Sequence, residues 1–170
     1  ETYAVEIPKQ EFDAAPVGIT GWNYTVRRCL FKNMPDDPCH GGSASGSGAP
    51  TQIEDCVAYD FKPGPSKHCD GVQQWVSGID NLYIRRCWIE TKLAAGYTTP
   101  SGAGFTSPVF CQAYTEAGVQ GITLVEDCVL DTADYYAIRF EGGCTMRAAA
   151  IGNQLRSNPA LPLIQGGITF

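Results

Sequence analysis

The chain has 170 residues, a formal net charge of −6, 19 glycines, 11 prolines and eight cysteines. That length suits one domain with a core large enough to hold it together. An acidic balance with scattered Lys and Arg offers no basic stripe for phosphates, which disfavours nucleic acid as the partner, and no apolar run reaches the length of a membrane-spanning helix.

The first residues, Glu1 to Ile7, lack the basic start and apolar core of a signal peptide. The chain opens and closes in apparent mid-strand, which predicts a single domain over 1–170 cut from a longer chain. The first clear element is 24–31, Tyr-Thr-Val-Arg-Arg-Cys-Leu-Phe. Its frame of β-branched residue, two charges, cysteine and apolar residue returns at 51–58, 82–89 and 123–130. A fifth copy at 148–155 carries Asn153 in the cysteine's place. The matched positions 29, 56, 87, 128 and 153 are separated by 27, 31, 41 and 25 residues. Self-similarity at such a period, with insertions of varying length, marks a coil of about five rungs stacked on one another. The glycine, proline and β-branched content points to strands joined by turns.

The charges support the same stack. Arg27-Arg28 is followed by Glu54-Asp55, then Arg85-Arg86, then Glu126-Asp127, so the sign alternates from rung to rung. Parallel strands lie about 4.8 Å apart, and like charges facing each other across that gap destabilise while opposite ones contribute roughly 0.2–1 kcal/mol.

With the cysteine facing inward, Val26, Ile53, Ile84 and Val125 also face in, as do Phe31, Ala58, Ile89 and Leu130. Leu30, Val57, Trp88 and Val129 then face outward. Such an apolar row meets another surface, either a segment of this chain or another chain, the latter as a homotrimer or a docked neighbour. A second strand precedes the frame at 71–75, 110–114 and 137–141. With Val72, Cys111 and Ile138 inward, the outward rows are Gln73, Gln112 and Arg139, then Trp75, Tyr114 and Glu141. Rings with planar hydrogen-bonding groups are what a sugar-binding face needs, although any solvent-facing strand is polar. Two Gly/Ser/Thr/Pro-rich stretches, 33–50 and 92–108, read as long loops, where binding residues concentrate.

The cysteines at the repeat position act as compact hydrophobes rather than disulfide partners. Asn153 suggests that this position lies in a tight bend. Cys111 reads as inward. Cys39-His40 and His68-Cys69 leave three possibilities open: plain thiols, a disulfide, or a metal site weakened by the absence of any Cys-x-x-Cys spacing.

His68-Cys69-Asp70-Gly71-Val72-Gln73, followed by Asn81-Leu82-Tyr83-Ile84-Arg85-Arg86-Cys87-Trp88-Ile89, resembles the pectate-lyase-like superfamily. Its members commonly carry a His-x-Asp-Gly-Ile-Gln turn and then Asn-Val-x-Ile-x-x-Asn-x-Ile. This chain places cysteine where that family's asparagine ladder lies. The resemblance covers about Val17 to Leu155 and implies an all-β fold, a single-stranded right-handed parallel β-helix. It also implies polysaccharide as the ligand class, in a carbohydrate-interacting module of a bacteriophage tail spike or fibre, or alternatively in a polysaccharide-degrading lyase or hydrolase. The corresponding locations are a virion or the extracellular medium.

A hydrolase would need two carboxylates about 5–9.5 Å apart. A lyase would gather acidic residues around calcium, and otherwise no cofactor or metal is expected. Glu141 is the first catalytic candidate, then His68 and Asp70, with Glu116 and Asp134 as further carboxylates; His68 and Asp70 equally suit a role in shaping a turn. The expected glycan-binding residues are Gln73, Trp75, Gln112, Tyr114 and Arg139.

Overall fold

In the computed structural model the chain is a parallel β-helix, described over residues 5–8, 10–15, 18–21, 23–41, 50–76, 81–105, 107–113, 122–132, 135–141, 147–156 and 159–165. Three parallel sheets form its walls. Sheet 1 stacks Val5–Pro8, Tyr24–Arg27, Thr51–Glu54, Leu82–Arg85, Ile122–Glu126 and Arg147–Ile151. Sheet 2 stacks Glu11–Asp13, Leu30–Lys32, Val57–Tyr59, Trp88–Thr91, Val129–Thr132 and Gln154–Arg156. Sheet 3 stacks Ile19–Gly21, Cys39–Gly41, Val72–Val76, Val109–Ala113, Ile138–Glu141 and Ile164–Gln165. The five matched frames supply five of the six strands in sheet 1. The remaining one, Val5–Pro8, has no cysteine frame.

The apolar alternation fills the lumen as the sequence predicts. Val26, Ile53, Ile84 and Val125 are all 1% exposed or less, and Phe31, Ala58, Ile89 and Leu130 are buried in the next layer. Phe12 stacks on Phe31 with ring centroids 4.8 Å apart, extending that layer to the first strand of sheet 2.

Between sheets 1 and 2 the chain bends in two residues. The first bend residue is left-handed at every frame: Arg28 at φ 56°, Asp55 at 55°, Arg86 at 51°, Asp127 at 52° and Gly152 at 67°. For an arginine this conformation costs about 1–2 kcal/mol, so the stacking must outweigh it. Backbone hydrogen bonds run through the bend on both sides, Asp55 N–H to Arg85 O and Val57 N–H to Cys29 O, for example. That leaves the N–H of the second bend residue without a carbonyl, and a buried N–H needs an acceptor.

The repeated cysteine supplies it. The Cys29 N–H donates to Cys56 Sγ and the Cys87 N–H to Cys128 Sγ, each at 3.4 Å. Asn153 ends the series by accepting from the Cys128 N–H at 2.9 Å and donating to Val125 O at 2.8 Å. The thiol of Cys87 donates the equivalent bond to Ile53 O at 3.5 Å. Hydrogen bonding to Cys128 and Cys56, together with burial, pushes the Cys87 thiol far up, so it stays protonated. The seven cysteines among the described residues are buried free thiols, Cys39, Cys69 and Cys111 included; Cys144 lies outside the described residues.

Because asparagine already makes the same two bonds at Asn153, Cys87→Asn is expected to change unfolding stability by only about 1 kcal/mol. Urea titration checks this. A collapse of the fold would mean that thiol volume, rather than bonding along the stack, selects the residue.

The charge ladder forms as its signs require. Arg27 Nε lies 3.0 Å from Glu54 Oε2, Arg85 Nη1 3.6 Å from Glu54 Oε1, and Arg85 Nε 3.2 Å from Glu126 Oε2. One position later, Arg86 Nε pairs with Asp55 Oδ1 at 2.6 Å.

Where they are described, the two long stretches expected as loops bond from turn to turn along the stack. The Lys62 N–H bonds Met34 O, the Ala94 N–H bonds Phe61 O, and His68–Cys69 pairs in parallel with Gly104–Phe105. Met34 and Phe61 are fully buried beneath these turns. Residues 42–49 and 106 lie outside the described residues.

Candidate functional site

The expected sugar-facing rows on sheet 3 shift by one residue at their middle rung. Val72 pairs with Val109 and Val109 with Ile138, so Phe110 stands between Gln73 and Arg139, while Gln112 aligns with Trp75 and Glu141. Val109 and Cys111 both face inward, and alternation alone does not decide which one meets Val72. Gln73 and Phe110 are 2% and 3% exposed. The Arg139 guanidinium lies 5.0 Å from the Phe110 ring centroid and 4.8 Å from that of Tyr135. Gln73 and Phe110 are therefore closed to solvent, whereas Arg139 keeps partial exposure. The side chains of Trp75, Gln112 and Glu141, and the whole of Tyr114, Glu116 and Asp134, lie outside the described residues.

His68 and Asp70 do meet, and they meet a third residue that the sequence reading passed over. Asp37 and Asp70 each stand two residues before a paired sheet 3 position, Cys39 and Val72, so they stack at one corner of the coil. Each caps the rung beyond it: Asp37 Oδ1 accepts the Asp70 N–H at 2.7 Å, and Asp70 Oδ1 accepts the Ser107 N–H at 2.8 Å. His68 Nδ1 stands 3.3 Å from Asp70 Oδ2, with the imidazole side chain 52% exposed and the Asp70 side chain fully buried.

Asp37 is buried as well. Burial, and then the charge of Asp70, push the Asp37 carboxyl up to about 8. Burial also raises Asp70, and the Asp70 carboxylate holds His68 above the ordinary imidazole value. Two adjacent buried carboxylates cannot both hold bare charge, so such a pair takes up either a proton or a cation.

A second feature lies on sheet 2, along the predicted outward apolar row. Leu30, Val57, Trp88 and Val129 follow one another in register, as predicted. Leu30, Val57 and Val129 are half-buried, whereas Trp88 is 52% exposed. Val57, Tyr59, Trp88 and Glu90 line a hollow of about 310 Å³. Beside it, Lys92 Nζ bridges Glu90 Oε1 at 3.0 Å and Asp131 Oδ2 at 2.8 Å. Asp131 also receives Arg156 Nη1 at 3.5 Å. The Asp131 carboxylate holds the Lys92 ammonium above its usual value. Tyr59, Glu90, Lys92 and Asp131 were not singled out from the sequence. Their signal was the register itself, since each lies two to four residues after an aligned Val57, Trp88 or Val129.

No family model matches the sequence, and no match is found among the curated proteins or the solved structures.

Proposed function

We propose that this chain is a carbohydrate-interacting β-helix module that contacts host-surface polysaccharide, of the kind carried by a bacteriophage tail spike or fibre and displayed on the virion. The observation that carries this reading is Trp88, an indole 52% exposed on a regular parallel wall, with Tyr59 and Glu90 lining the same hollow. An exposed ring offers a flat apolar surface to pyranose C–H groups, and its edge tolerates water. Glu90, Lys92, Asp131 and Arg156 supply fixed donors and acceptors for hydroxyls beside it. A ligand site combines a mainly apolar floor with a few placed polar groups, and this hollow has that make-up. The resemblance at His68–Ile89 favours the same ligand class.

A glycan array probed with the whole chain tests the reading. Trp88→Ala is expected to weaken binding by roughly tenfold or more while the fold survives, since the indole holds up no core layer. Equal binding by parent and variant would take glycan off this face. The same row would also suit a homotrimer, so sedimentation of Trp88→Asp belongs beside the array. An unchanged mass leaves the row to the ligand, and a fall from trimer to monomer gives it to the neighbouring chain. Reducing ends released from a bound polysaccharide would change the reading from binder to enzyme.

A further inference from the structure

We propose that Asp37, His68 and Asp70 form a binding site for one divalent transition-metal ion of the zinc class. Each residue offers a ligand atom, and those atoms all lie within 4.8 Å of one another. Zinc binds imidazole nitrogen at about 2.0–2.1 Å and carboxylate oxygen at about 2.0–2.2 Å in a tetrahedral set, which puts its ligand atoms roughly 3.3 Å apart, the separation that His68 Nδ1 and Asp70 Oδ2 already have.

Two observations besides the clustering point to a cation. Asp70 Oδ2 is buried and makes no hydrogen bond; His68 Nδ1 is within ion-pair distance but outside standard hydrogen-bond geometry. A buried carboxylate oxygen without a hydrogen bond is costly, and a bound cation would satisfy it more fully than the ion pair with His68 does. Asp37 and Asp70 also share this buried corner beside the imidazole, and a cation bound there would replace the proton that such a pair otherwise takes up.

The backbone explains why the carboxylates stay in place. Each is anchored through one oxygen to the N–H of the next rung, so Asp70 presents its second oxygen from a fixed position. Ligands oriented in this way lose little freedom on binding. Calcium suits the set poorly, because it takes six to eight oxygens at about 2.3–2.6 Å and this corner gives two carboxylates and a nitrogen.

The test is calorimetric titration of the whole, chelator-stripped chain with ZnCl2, with CaCl2 as the control and CoCl2 as a spectroscopic probe. One zinc per chain is expected, with no calcium binding over the same range and a rise in the thermal midpoint on adding zinc. His68→Ala, which removes a surface ring, is expected to weaken zinc binding roughly tenfold or more without disturbing the fold. Asp70→Asn keeps an oxygen for the Ser107 N–H, and it should weaken binding as well. Cobalt should give visible bands without thiolate charge transfer. Zinc that binds only at millimolar levels, or equally well to His68→Ala, overturns the assignment. Thiolate charge-transfer bands would overturn it too, by placing the ion on the cysteines.

Discussion

Gly71→Ala is expected to be among the most damaging single substitutions in the chain, at about 3 kcal/mol. Gly71 sits where the chain turns from Asp70 into sheet 3, and its N–H bonds Ser107 O. An added Cβ would run into Ile89 Cγ2 from inside the coil and lie 2.5 Å from Pro108 O on the next rung. The proline carbonyl cannot withdraw, because it accepts the Val72 N–H at 2.9 Å. The same pairing recurs two rungs earlier, where a Cβ on Gly18 would collide with Pro38 O. For a domain of this size, 3 kcal/mol corresponds to a fall in thermal midpoint of about 6–12 °C. A melt that coincides with the parent would show that this corner can yield, and that the glycine answers to chain flexibility instead.

Glu54→Lys should cost a similar amount, on the order of 3 kcal/mol, by a different route. Glu54 is 8% exposed and receives Arg27 from the rung below and Arg85 from the rung above, with Arg86 Nη2 at 3.8 Å. A lysine there would set four cations together on one partly buried strip. The arginines keep some contact with water, which holds the loss to the lower end of what breaking a buried pair costs. Urea unfolding measures the loss, and raising the salt should recover part of it, since exposed charges are screened over about a Debye length. A loss insensitive to salt would trace to shape rather than charge.

The wall that carries the cysteine frame was legible because two independent patterns, apolar spacing and charge sign, repeat there together. Hydrogen bonding explains the cysteine itself only once the bend is seen: its N–H faces the next rung, where a thiol or an asparagine oxygen accepts it. The left-handed residue before it was not legible. Aspartate tolerates that conformation and arginine gives no sign of it, yet Asp55 and Arg86 adopt it alike.

Sheet 3 was harder to read because Val109, Phe110 and Cys111 are all apolar, so no polar alternation fixes which of them meets Val72. Asp37 was passed over for a related reason. It lies inside a stretch of Pro, Asp, Gly and Ser that reads as loop, and its kinship with Asp70 appears only when Cys39 is aligned on Val72. The Trp88 row was visible from alternation, whereas its polar neighbours on the adjoining strands needed the register.

The alternating signs also bear on how such a coil can grow or shrink. By shape alone, any single turn of it could be excised and the neighbours would close over the gap, with thiol meeting thiol. By charge they would not. Losing the turn that bears Glu54 and Asp55 would bring Arg27 against Arg85 and leave Arg86 without its carboxylate. Duplicating that turn would set carboxylate against carboxylate. The sequence thus imposes a parity rule on a structure whose geometry has none: within the frames that carry charge, turns are exchanged in twos, and the smallest heritable or engineerable unit is a positive and a negative rung together.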